Sequence, residues 1–403
     1  MRITGVSTNP WRLVPNGAQA VNTPNLPGNV VPGVNWTARM APMQWHWVAS
    51  NATGQVLVAA AIPGDLHVSR DGGATWSVGN SPQANWISVD MTPNADRIVA
   101  VAYGGDMYMS TDRGVTWTQV TSTTAGVTLT GREWESVTIS HDGSRMAANI
   151  INGPIYLYHR TAAGVTWTIA SDTAGGAPLV REWRSIDSSS DGRVIVAVTQ
   201  RGEVWLGDAQ TGVFTLVPVV VDGTPVTDGW YRVAMSENGN VIAVAGNTQF
   251  TNGGTSTGLY VSRNRGATWS RGSSVTGDYT SVTMNATGSS IGATISGPGT
   301  NGRVLHSANG GTSFAPLSPP GSDTTWRAMA FSSDGTSYTL AAGTFFGNPG
   351  QLYTSVGHRT SFGAEGYIGS SGSGQNQGVE VEYIGNNRWT VRSHQSSTIF
   401  VVQ

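Results

Sequence analysis

Arginine, glutamate and tryptophan occur side by side in this chain, and their types and spacing suit ligand chemistry. The tripeptide Arg-Glu-Trp appears twice, at residues 132–134 and 181–183. A guanidinium group donates two parallel hydrogen bonds to a carboxylate, and a tryptophan ring offers a large apolar face. Together they predict a site for sugars, and for acidic sugars in particular. The predicted ligand-binding residues are Trp134, Trp183, Arg132, Arg181, Trp86, Trp230, Trp326, Arg232 and Arg327.

Packing is the alternative interpretation of the same residues. A tryptophan that recurs in every repeat also fits the space between neighbouring sheets, where it would be buried. Adjacent Arg and Glu side chains also suit salt bridges that tie the repeats together. The sequence supports both interpretations.

Catalysis is not predicted. Hydrolysis of a glycosidic bond needs two facing carboxylates. Glu133 and Glu182 are candidates, but they occupy equivalent positions in adjacent repeats, so repetition explains them without catalysis. There is no cysteine, and all 22 basic residues are arginine, which excludes cysteine nucleophiles and lysine Schiff bases. A glycoside hydrolase is the alternative function, and a purely structural protein that binds protein neighbours is a third.

No cofactor or metal site is predicted, because the seven histidines are scattered without ligand spacing. The segment VDGTPVTDG, with Asp222 and Asp228, is the place where a Ca²⁺ ion would be chemically reasonable. The net charge of −2 favours neither nucleic acid nor anionic lipid, and no apolar run is long enough to span a membrane. We therefore predict no nucleic-acid partner and no membrane insertion.

An aromatic anchor residue begins each of seven repeats at nearly constant spacing. Val or a related residue follows three positions after the anchor, and Gly follows nine positions after it in six of the seven repeats. In the second repeat, strands are predicted at residues 85–91, 97–103, 107–110 and 115–120. The anchors are Trp45, Trp86, Trp134, Trp183, Trp230, Tyr279 and Trp326.

Four short antiparallel strands in each repeat, without a helical period, predict an all-β seven-bladed β-propeller. Strict alternation along the first strand predicts that positions one, three and five after the anchor share a face. The anchor and the second position, which is often Ser, would share the other face. A face of small side chains against a face of large ones is what wedge-shaped blades need.

The octapeptide Ser-x-Asp-x-Gly-x-Thr-Trp follows several anchors. It is complete at residues 69–76 and 110–117, has Asn for Asp at 262–269, and is weaker still at 307–314. Copies at 160–167, 207–214 and 355–362 are degenerate. The residues assigned to this motif are Asp71, Gly73, Trp76, Asp112, Gly114, Trp117, Asn264, Gly266, Trp269, Asn309, Gly311 and Phe314.

This octapeptide resembles the Asp-box, or BNR repeat, of sialidase-like and sortilin-like β-propellers. The resemblance covers roughly residues 45–362 and implies a turn between the third and fourth strands, on the face away from the catalytic site of such propellers. Asp or Asn side chains accept hydrogen bonds from turn N–H groups, so we expect a structural role. The Arg-Ile-Pro motif of sialidases is absent, and those enzymes have six blades, which argues against sialidase activity.

The two ends of the chain differ from the repeats. Residues 1–44 are predicted to form an extended arm, with a strand near Trp36 that completes the seventh blade of a propeller at 45–365. Residues 366–403 are predicted to be a Gly/Ser linker followed by a β-hairpin, similar to those of phage tail and fibre proteins. The arm and hairpin are candidate contacts for protein partners. Without a recognisable signal peptide, the expected location is a virion or the extracellular space.

Overall fold

The computed structural model describes backbone and side chains over most of the chain and the backbone of eight further strands near its ends. The fully described ranges are 32–122, 124, 126–226, 228–247, 258–297, 302–321, 323, 325–343 and 349–356. The backbone-only strands are residues 2–5, 12–13, 20–22, 361–362, 367–370, 377–385, 388–394 and 399–402.

The described residues form strands and turns and no helix. The first strands are β1 (Arg2–Gly5), β2 (Arg12–Leu13), β3 (Ala20–Asn22) and β4 (Thr37–Met43). Sheet 1 contains β5 (Trp45–Ser50), β6 (Leu57–Ala61), β7 (Leu66–Ser69) and β8 (Ser77–Val78). Sheet 2 contains β9 (Trp86–Met91), β10 (Ile98–Gly105), β11 (Met107–Ser110) and β12 (Thr118–Gln119). Sheet 3 contains β13 (Arg132–Ile139), β14 (Arg145–Ile150), β15 (Ile155–Thr161) and β16 (Gly164–Ile169).

The same order continues along the chain. Sheet 4 contains β17 (Trp183–Ser188), β18 (Val194–Thr199), β19 (Val204–Asp208) and β20 (Val213–Val217), and a short hairpin follows, β21 (Val220–Val221) with β22 (Thr224–Pro225). Sheet 5 contains β23 (Trp230–Met235), β24 (Ile242–Gly246), β25 (Leu259–Ser262) and β26 (Ser270–Ser273). Sheet 6 contains β27 (Asp278–Met284), β28 (Ile291–Ser296), β29 (Arg303–Ser307) and β30 (Ala315–Leu317). Sheet 7 contains β31 (Trp326–Phe331), β32 (Ser337–Gly343), β33 (Pro349–Val356) and β4.

All seven sheets are antiparallel, and their first strands contact one another in sequence order. β5 contacts β9, each first strand contacts the next, and β31 contacts β5 again. Sheets 2 and 3 are also hydrogen-bonded to each other through β10 and β13. The predicted all-β class with four-stranded antiparallel sheets is confirmed.

Sheet 7 takes its outer strand from the start of the chain. β4 pairs antiparallel with β33, with Thr37 opposite Thr354 and Arg39 opposite Leu352. The Arg39 guanidinium also donates a 2.8 Å hydrogen bond to Thr354 Oγ1. The strand begins one residue after Trp36, so the tryptophan precedes the strand on which the sequence analysis placed it.

A β-bulge in every first strand changes the predicted assignment of faces. In β13, Trp134 pairs with Ile150 and Ser136 pairs with Asn149, which leaves Glu135 as the extra residue. The same register shift follows the anchor in each of the other six first strands. Strict alternation was therefore the wrong assumption, because a bulge moves the anchor to the face of positions three and five.

The core lies between consecutive sheets. Trp134, Val137 and Ile139 of sheet 3 pack in one cluster with Val99 and Val101 of sheet 2. At the junction of sheets 7 and 1, Trp45 and Val48 pack against Ala328 and Ala330 of β31. These two alanines stand two and four positions after the anchor. A large face therefore meets a small one, as the sequence predicted, although the anchor belongs to the large face.

Side chains of the small faces bond to the first strand of the next sheet. Ser88 Oγ accepts a hydrogen bond from Val137 N–H at 3.3 Å, and Ser185 Oγ accepts one from Val233 N–H at the same distance. Asp90 accepts from Ile139 N–H at 2.8 Å. These serines and this aspartate satisfy buried backbone donors between sheets, which would otherwise cost free energy.

The chain ends form a separate compact unit of residues 1–36 and 355–403. Its larger sheet has the strand order β1, β36 (Gln377–Gly385), β37 (Arg388–His394), β3 and β34 (Ser361–Phe362). Its smaller sheet has β2, β35 (Tyr367–Ser370) and β38 (Ile399–Val402). N-terminal strands pair with C-terminal ones, and Tyr367–Ser370 forms a strand within the segment interpreted as a linker. β36 and β37 pair antiparallel as the predicted hairpin does, but they share a sheet with N-terminal strands, which the predicted extended arm did not include.

Candidate functional site

The anchor tryptophans are buried, which corrects the prediction that they bind a ligand. Trp86, Trp134, Trp183 and Trp230 have no exposed surface, and Trp326 is 4% exposed. The bulge turns each ring into the core between sheets, so no face is available to a sugar. The packing alternative accounts for these five residues.

In most repeats, the anchor ring also packs against an aromatic ring from the third strand of the same sheet. Trp134 lies 5.4 Å from Tyr156 in an edge-on arrangement, and Trp86 lies 5.5 Å from Tyr108. Similar ring pairs are Trp45–His67, Trp183–Trp205, Trp230–Tyr260 and Trp326–Tyr353. Such pairs stabilise a core beyond the area that they bury.

The bulged residue one position after each anchor has a different role. Among these residues, Glu135, Arg184, Tyr231 and Arg327 lie on the first strands of sheets 3, 4, 5 and 7. A bulge re-aims the side chain of the extra residue away from the sheet faces. The side chains that interact with one another in this way are Glu135, Arg184, Tyr231 and Arg327. With Arg232 they form what we call the arginine cluster. The complete set of bulged residues is His46, Ile87, Glu135, Arg184, Tyr231, Thr280 and Arg327.

Glu135 is the centre of the arginine cluster. Its Oε1 lies 3.7 Å from Arg184 Nη1 and 3.8 Å from Arg232 Nη1, and its side chain is only 4% exposed. Arg327 also acts on Glu135 electrostatically. Three guanidinium groups thus lie near one carboxylate.

Arg232 is the buried arginine of the cluster and stacks on Tyr231. The Arg232 guanidinium stacks on the Tyr231 ring with its Cζ 3.9 Å from the ring centroid, and it lies 5.2 Å from the Trp47 centroid. Arg232 Nε donates a 3.0 Å hydrogen bond to the Thr280 carbonyl. Its side chain is 3% exposed, so its charge is held in the interior by stacking and hydrogen bonds.

The cluster perturbs its titratable groups. Burial raises the pKa of Glu135, and the guanidinium groups of Arg232 and Arg184 oppose that shift. Burial lowers the pKa of Arg327, and the nearby charge of Arg232 lowers it further. Burial, with the charges of Arg327 and Arg232, also holds the pKa of His46 well below its usual value. The imidazole is therefore neutral near pH 7 and does not change the net charge of the cluster.

The solvent-facing layer of the cluster consists of Arg184, Tyr231 and Arg327, which are half-buried. The Arg184 side chain is 14% exposed, and its Nε donates a 3.0 Å hydrogen bond to Gln200 Oε1. Tyr231 and Arg327 are hydrogen-bonded to each other. These three residues therefore keep part of their surface exposed and place two guanidinium groups near one phenol.

The predicted catalytic candidate Glu182 lies in a salt bridge. Both of its oxygens accept 2.7 Å hydrogen bonds from Arg201, and Gln200 Nε2 donates a third bond of 2.7 Å. The Arg201 hydrogen bonds lower the pKa of Glu182 to about 2. A carboxylate held in this way is fully ionised and already paired, so the salt-bridge alternative accounts for it. Its counterpart Glu133 is exposed.

Arg132 and Arg181 lie outside the arginine cluster. Arg132 Nε donates a 3.0 Å hydrogen bond to the Thr128 carbonyl. Arg181 forms an ion pair of 3.3 Å with Glu203 and lies 5.1 Å from the Trp205 centroid. Of the predicted arginines, the structure therefore brings together only Arg232 and Arg327. Sequence reasoning missed Glu135 and Tyr231, and a reading of the column one position after the anchors would have shown them.

The octapeptide residues hold turns between third and fourth strands. Ser69 Oγ accepts from Gly73 N–H at 2.8 Å, and Asp71 accepts from Thr75 N–H at 2.8 Å and from Thr75 Oγ1 at 2.6 Å. The Thr75 hydrogen bonds lower the pKa of Asp71 to about 2. Asn264 Oδ1 accepts the equivalent N–H bond from Thr268 at 2.8 Å. In these turns Asp and Asn are interchangeable as acceptors.

Asp222 occupies a tight turn and not a loop that could surround a metal ion. Val221 pairs with Thr224 across the two-residue turn Asp222–Gly223, and both turn residues have positive φ values of 49° and 78°. Within the described parts of the chain, no three His, Asp or Glu residues are grouped as metal ligands would be. The described residues also include no helix with the length and apolar character that a membrane span requires.

Comparison with solved structures identifies the fold. The chain is similar to the β-propeller domain of Cps50 (Swd1) from Myceliophteria thermophila, with a TM-score of 0.58 and 11% sequence identity. The match covers 80% of this chain and 99% of that one. No protein-family model and no curated protein matches the chain. The chain therefore has a β-propeller fold, and the similarity carries no statement about what it binds.

Proposed function

We propose that this protein is a non-catalytic recognition propeller of seven blades, built on Asp-box turns, that binds an acidic glycan at the arginine cluster. The seven blades are sheets 1 to 7, because their first strands contact each other in a closed cycle. A compact ring of this kind needs each blade to bury its faces against two neighbours.

The observation that carries the ligand class is the ratio of charges in the cluster. Arg184, Arg232 and Arg327 lie near the carboxylate of Glu135. The other carboxylate that acts on Arg184, that of Glu182, is already paired with Arg201, so the arginines still outnumber the carboxylates. Desolvated cations gain most from an added anion, because the attraction is screened less than in water. A sugar carboxylate next to Arg184 and Arg327 would supply that charge, with the Tyr231 hydroxyl beside it.

The cluster supports binding better than hydrolysis. Glu135 is its one described carboxylate, and the two-carboxylate arrangement of glycosidases requires a partner for it. Glu135 is also engaged with Arg184 and Arg232, so it is placed to hold charges and not to donate a proton.

Calorimetric titration of the full chain with N-acetylneuraminic acid and with galacturonic acid tests this function. We expect both acids to bind and neutral galactose to bind at least tenfold more weakly. Arg184→Gln and Arg327→Gln should each weaken acid binding about tenfold or more, since a charge-assisted hydrogen bond contributes roughly 1.5–3 kcal/mol. Arg132→Gln is the matched control, because Arg132 lies outside the cluster and bonds a backbone carbonyl.

Three results would overturn the proposal. These are equal affinity for acid and neutral sugars, no binding of either acid, or equal loss in all three arginine variants. Release of product from chromogenic glycosides would instead support the hydrolase alternative.

We further propose display on a virion or outside the cell, since the predicted terminal hairpin is similar to those of phage tail and fibre proteins.

A further inference from the structure

The outer strand of sheet 3 is an exposed edge without the usual protection. β16 has six residues, whereas the outer strands β8 and β12 of the two preceding sheets have two each. Its sequence, GVTWTI, contains no charged residue and no proline. Natural edge strands are normally short, charged, kinked or covered, because an open edge pairs with other strands.

The loss of the octapeptide in sheet 3 explains why this strand is long. Arg160 and Ala162 stand where the other copies have Ser and Asp, so the side-chain bonds that fold the turn are missing. The hairpin ladder instead continues to its tip, where Thr161 pairs with Gly164.

The glycine at the tip of this hairpin is also less closely packed than its equivalents in other sheets. A Cβ atom placed on Gly164 would meet nothing within 4 Å. At the equivalent Gly114 it would lie 2.8 Å from Val68 of the sheet before, and at Gly311 it would lie 2.7 Å from Val261. Space is therefore open beside Gly164, although Tyr158 and Trp167 of the same hairpin still pack in one cluster with sheet 2.

A groove of about 400 Å³ opens between these two sheets. Thr118 and Thr121 form part of one wall, and Tyr158, Val165 and Trp167 form part of the other. None of the residues that line it is charged. The groove thus combines hydroxyl groups with apolar surface and suits an uncharged occupant.

Backbone groups on the free edge of β16 face this groove. Since Thr161 and Gly164 close a two-residue hairpin, alternate residues direct their N–H and C=O groups outward, and Val165 and Trp167 are among them. The 3.2 Å hydrogen bond from Trp167 N–H to Thr124 Oγ1 agrees with this direction.

The junction of sheets 1 and 2 shows what occupies the same edge elsewhere. There, Asn80 N–H donates a 3.1 Å hydrogen bond to the Val115 carbonyl, and Asn80 pairs in parallel with Thr116. Val165 and Thr121 are the equivalents of Val115 and Asn80, but no backbone hydrogen bond in the described part of the chain joins them. The Val165 carbonyl therefore lacks the backbone bond that Val115 has at the first junction, and at this edge the chain contributes the Thr124 side chain to Trp167 instead.

We infer that this groove is a docking site for an extended, uncharged peptide strand of a protein partner, which adds to sheet 3 along β16. Main-chain hydrogen bonds to Val165 would supply affinity, and the threonine wall would select small or hydroxyl side chains. The inference is independent of the glycan site, which lies on other elements.

Hydrogen exchange on the full chain tests the inference with a defined probe. The probe is an acetylated and amidated peptide with the sequence of residues 76–83, WSVGNSPQ, which contains the segment that covers the equivalent edge of sheet 2. We expect millimolar peptide to slow exchange of the Val165 amide at least threefold. Val165→Lys should abolish this protection and the binding seen by fluorescence anisotropy of the labelled peptide.

Val115→Lys is the matched control. Val115 is 51% exposed and Val165 is 43% exposed, but the edge at Val115 is already covered, so this variant should bind the peptide like the wild type. Both variants should keep the wild-type unfolding midpoint. Unchanged exchange at Val165, equal loss of binding in both lysine variants, or protection by a neutral oligosaccharide and not by the peptide would each overturn the inference.

Discussion

Ser355 Oγ accepts a 2.8 Å hydrogen bond from Gly33 N–H, and so joins two residues that lie at opposite ends of the chain. The bond matches that between Gly73 N–H and Ser69 Oγ in a complete octapeptide. Both join a glycine N–H to a serine Oγ at the same distance. Trp36 Nε1 donates to the Gly33 carbonyl at 2.8 Å, as Trp76 does to the Gly73 carbonyl at 3.0 Å. The chain ends thus rebuild the turn that the other sheets form from contiguous residues.

This finding corrects the seventh octapeptide. The sequence analysis placed it at residues 355–362, but Phe362 lies on β34 and pairs with β3. Among the described residues of that segment, Ser355 takes part in the turn, together with Gly33, Asn35 and Trp36. Residues 357–360 lie outside the described residues.

Ser355→Ala should lower the free energy of unfolding by about 1 kcal/mol, the usual contribution of one such hydrogen bond. Ser69→Ala is the matched variant, because it removes the same bond within a contiguous turn. Urea titrations of both proteins measure the effect. A Ser355→Ala protein as stable as the wild type, next to a destabilised Ser69→Ala protein, would show that the joined turn contributes nothing.

Asp112→Asn should leave stability within about 0.5 kcal/mol of the wild type, whereas Asp112→Ala should cost about 1–2 kcal/mol. Asn264 shows why, since its amide both accepts from the turn N–H and donates to Thr268 Oγ1 at 2.8 Å. Thermal unfolding of the two variants distinguishes these effects. Equal destabilisation by Asn and Ala would contradict the interchangeability of the two acceptors.

Trp134→Ala should lower the free energy of unfolding by about 3–5 kcal/mol, because it leaves a large cavity between sheets 2 and 3. Trp183→Ala should do the same, and the pair should not fold stably. Exposed Val180→Ala is the control and should have an effect below about 0.5 kcal/mol. A folded Trp134→Ala protein that had lost only glycan binding would restore the original ligand-platform prediction.

Glu135→Gln should destabilise the protein by about 3–5 kcal/mol, because it leaves buried guanidinium groups without their shared carboxylate. Sodium acetate should restore more stability to this variant than to the wild type, at equal ionic strength set with chloride. Glu182→Gln provides the comparison and should cost under about 1 kcal/mol, since its partner Arg201 is largely exposed. Similar losses of stability in the Glu135→Gln and Glu182→Gln proteins would contradict the conclusion that Glu135 holds buried arginines together.

Asp187 should make stability depend on pH. Burial, with the nearby charge of Asp90, raises its pKa to about 7 from a usual value near 3.8. The folded protein thus retains a proton that the unfolded chain loses, so the free energy of unfolding should fall as the pH rises from about 4 to about 7. Urea titrations across this range should show the fall in the wild type and a flatter profile in Asp187→Asn.

Asp191→Asn is the control for that profile. Hydrogen bonds and nearby arginines lower the pKa of Asp191 despite partial burial, so its contribution is lost only as the pH falls below about 4. The decline between pH 4 and 7 should therefore persist in this variant. An equally steep decline in Asp187→Asn would show that another group causes it.

Much of the fold could be predicted from local patterns. Alternating apolar residues and turn glycines mark strands, and the strands predicted at 97–103 and 107–110 correspond to Ile98–Gly105 and Met107–Ser110 in the structure. The octapeptide gives its own turn because Ser69, Asp71 and Thr75 bond to one another within a few residues. Interactions between residues so close in sequence depend on neighbouring side chains, so they can be predicted from the repeat itself.

The candidate site depends on information of longer range. Whether Trp134 faces solvent or the core is decided by the bulge at Glu135, which is a property of strand pairing and leaves no mark in the alternation of β13 alone. Glu135, Arg184 and Arg232 come together only because β13, β17 and β23 are neighbours in space. Local sequence therefore encodes the repeating strands and their turns. Which side chains meet follows from the packed fold, because burial and charge pairing depend on residues far apart in the chain.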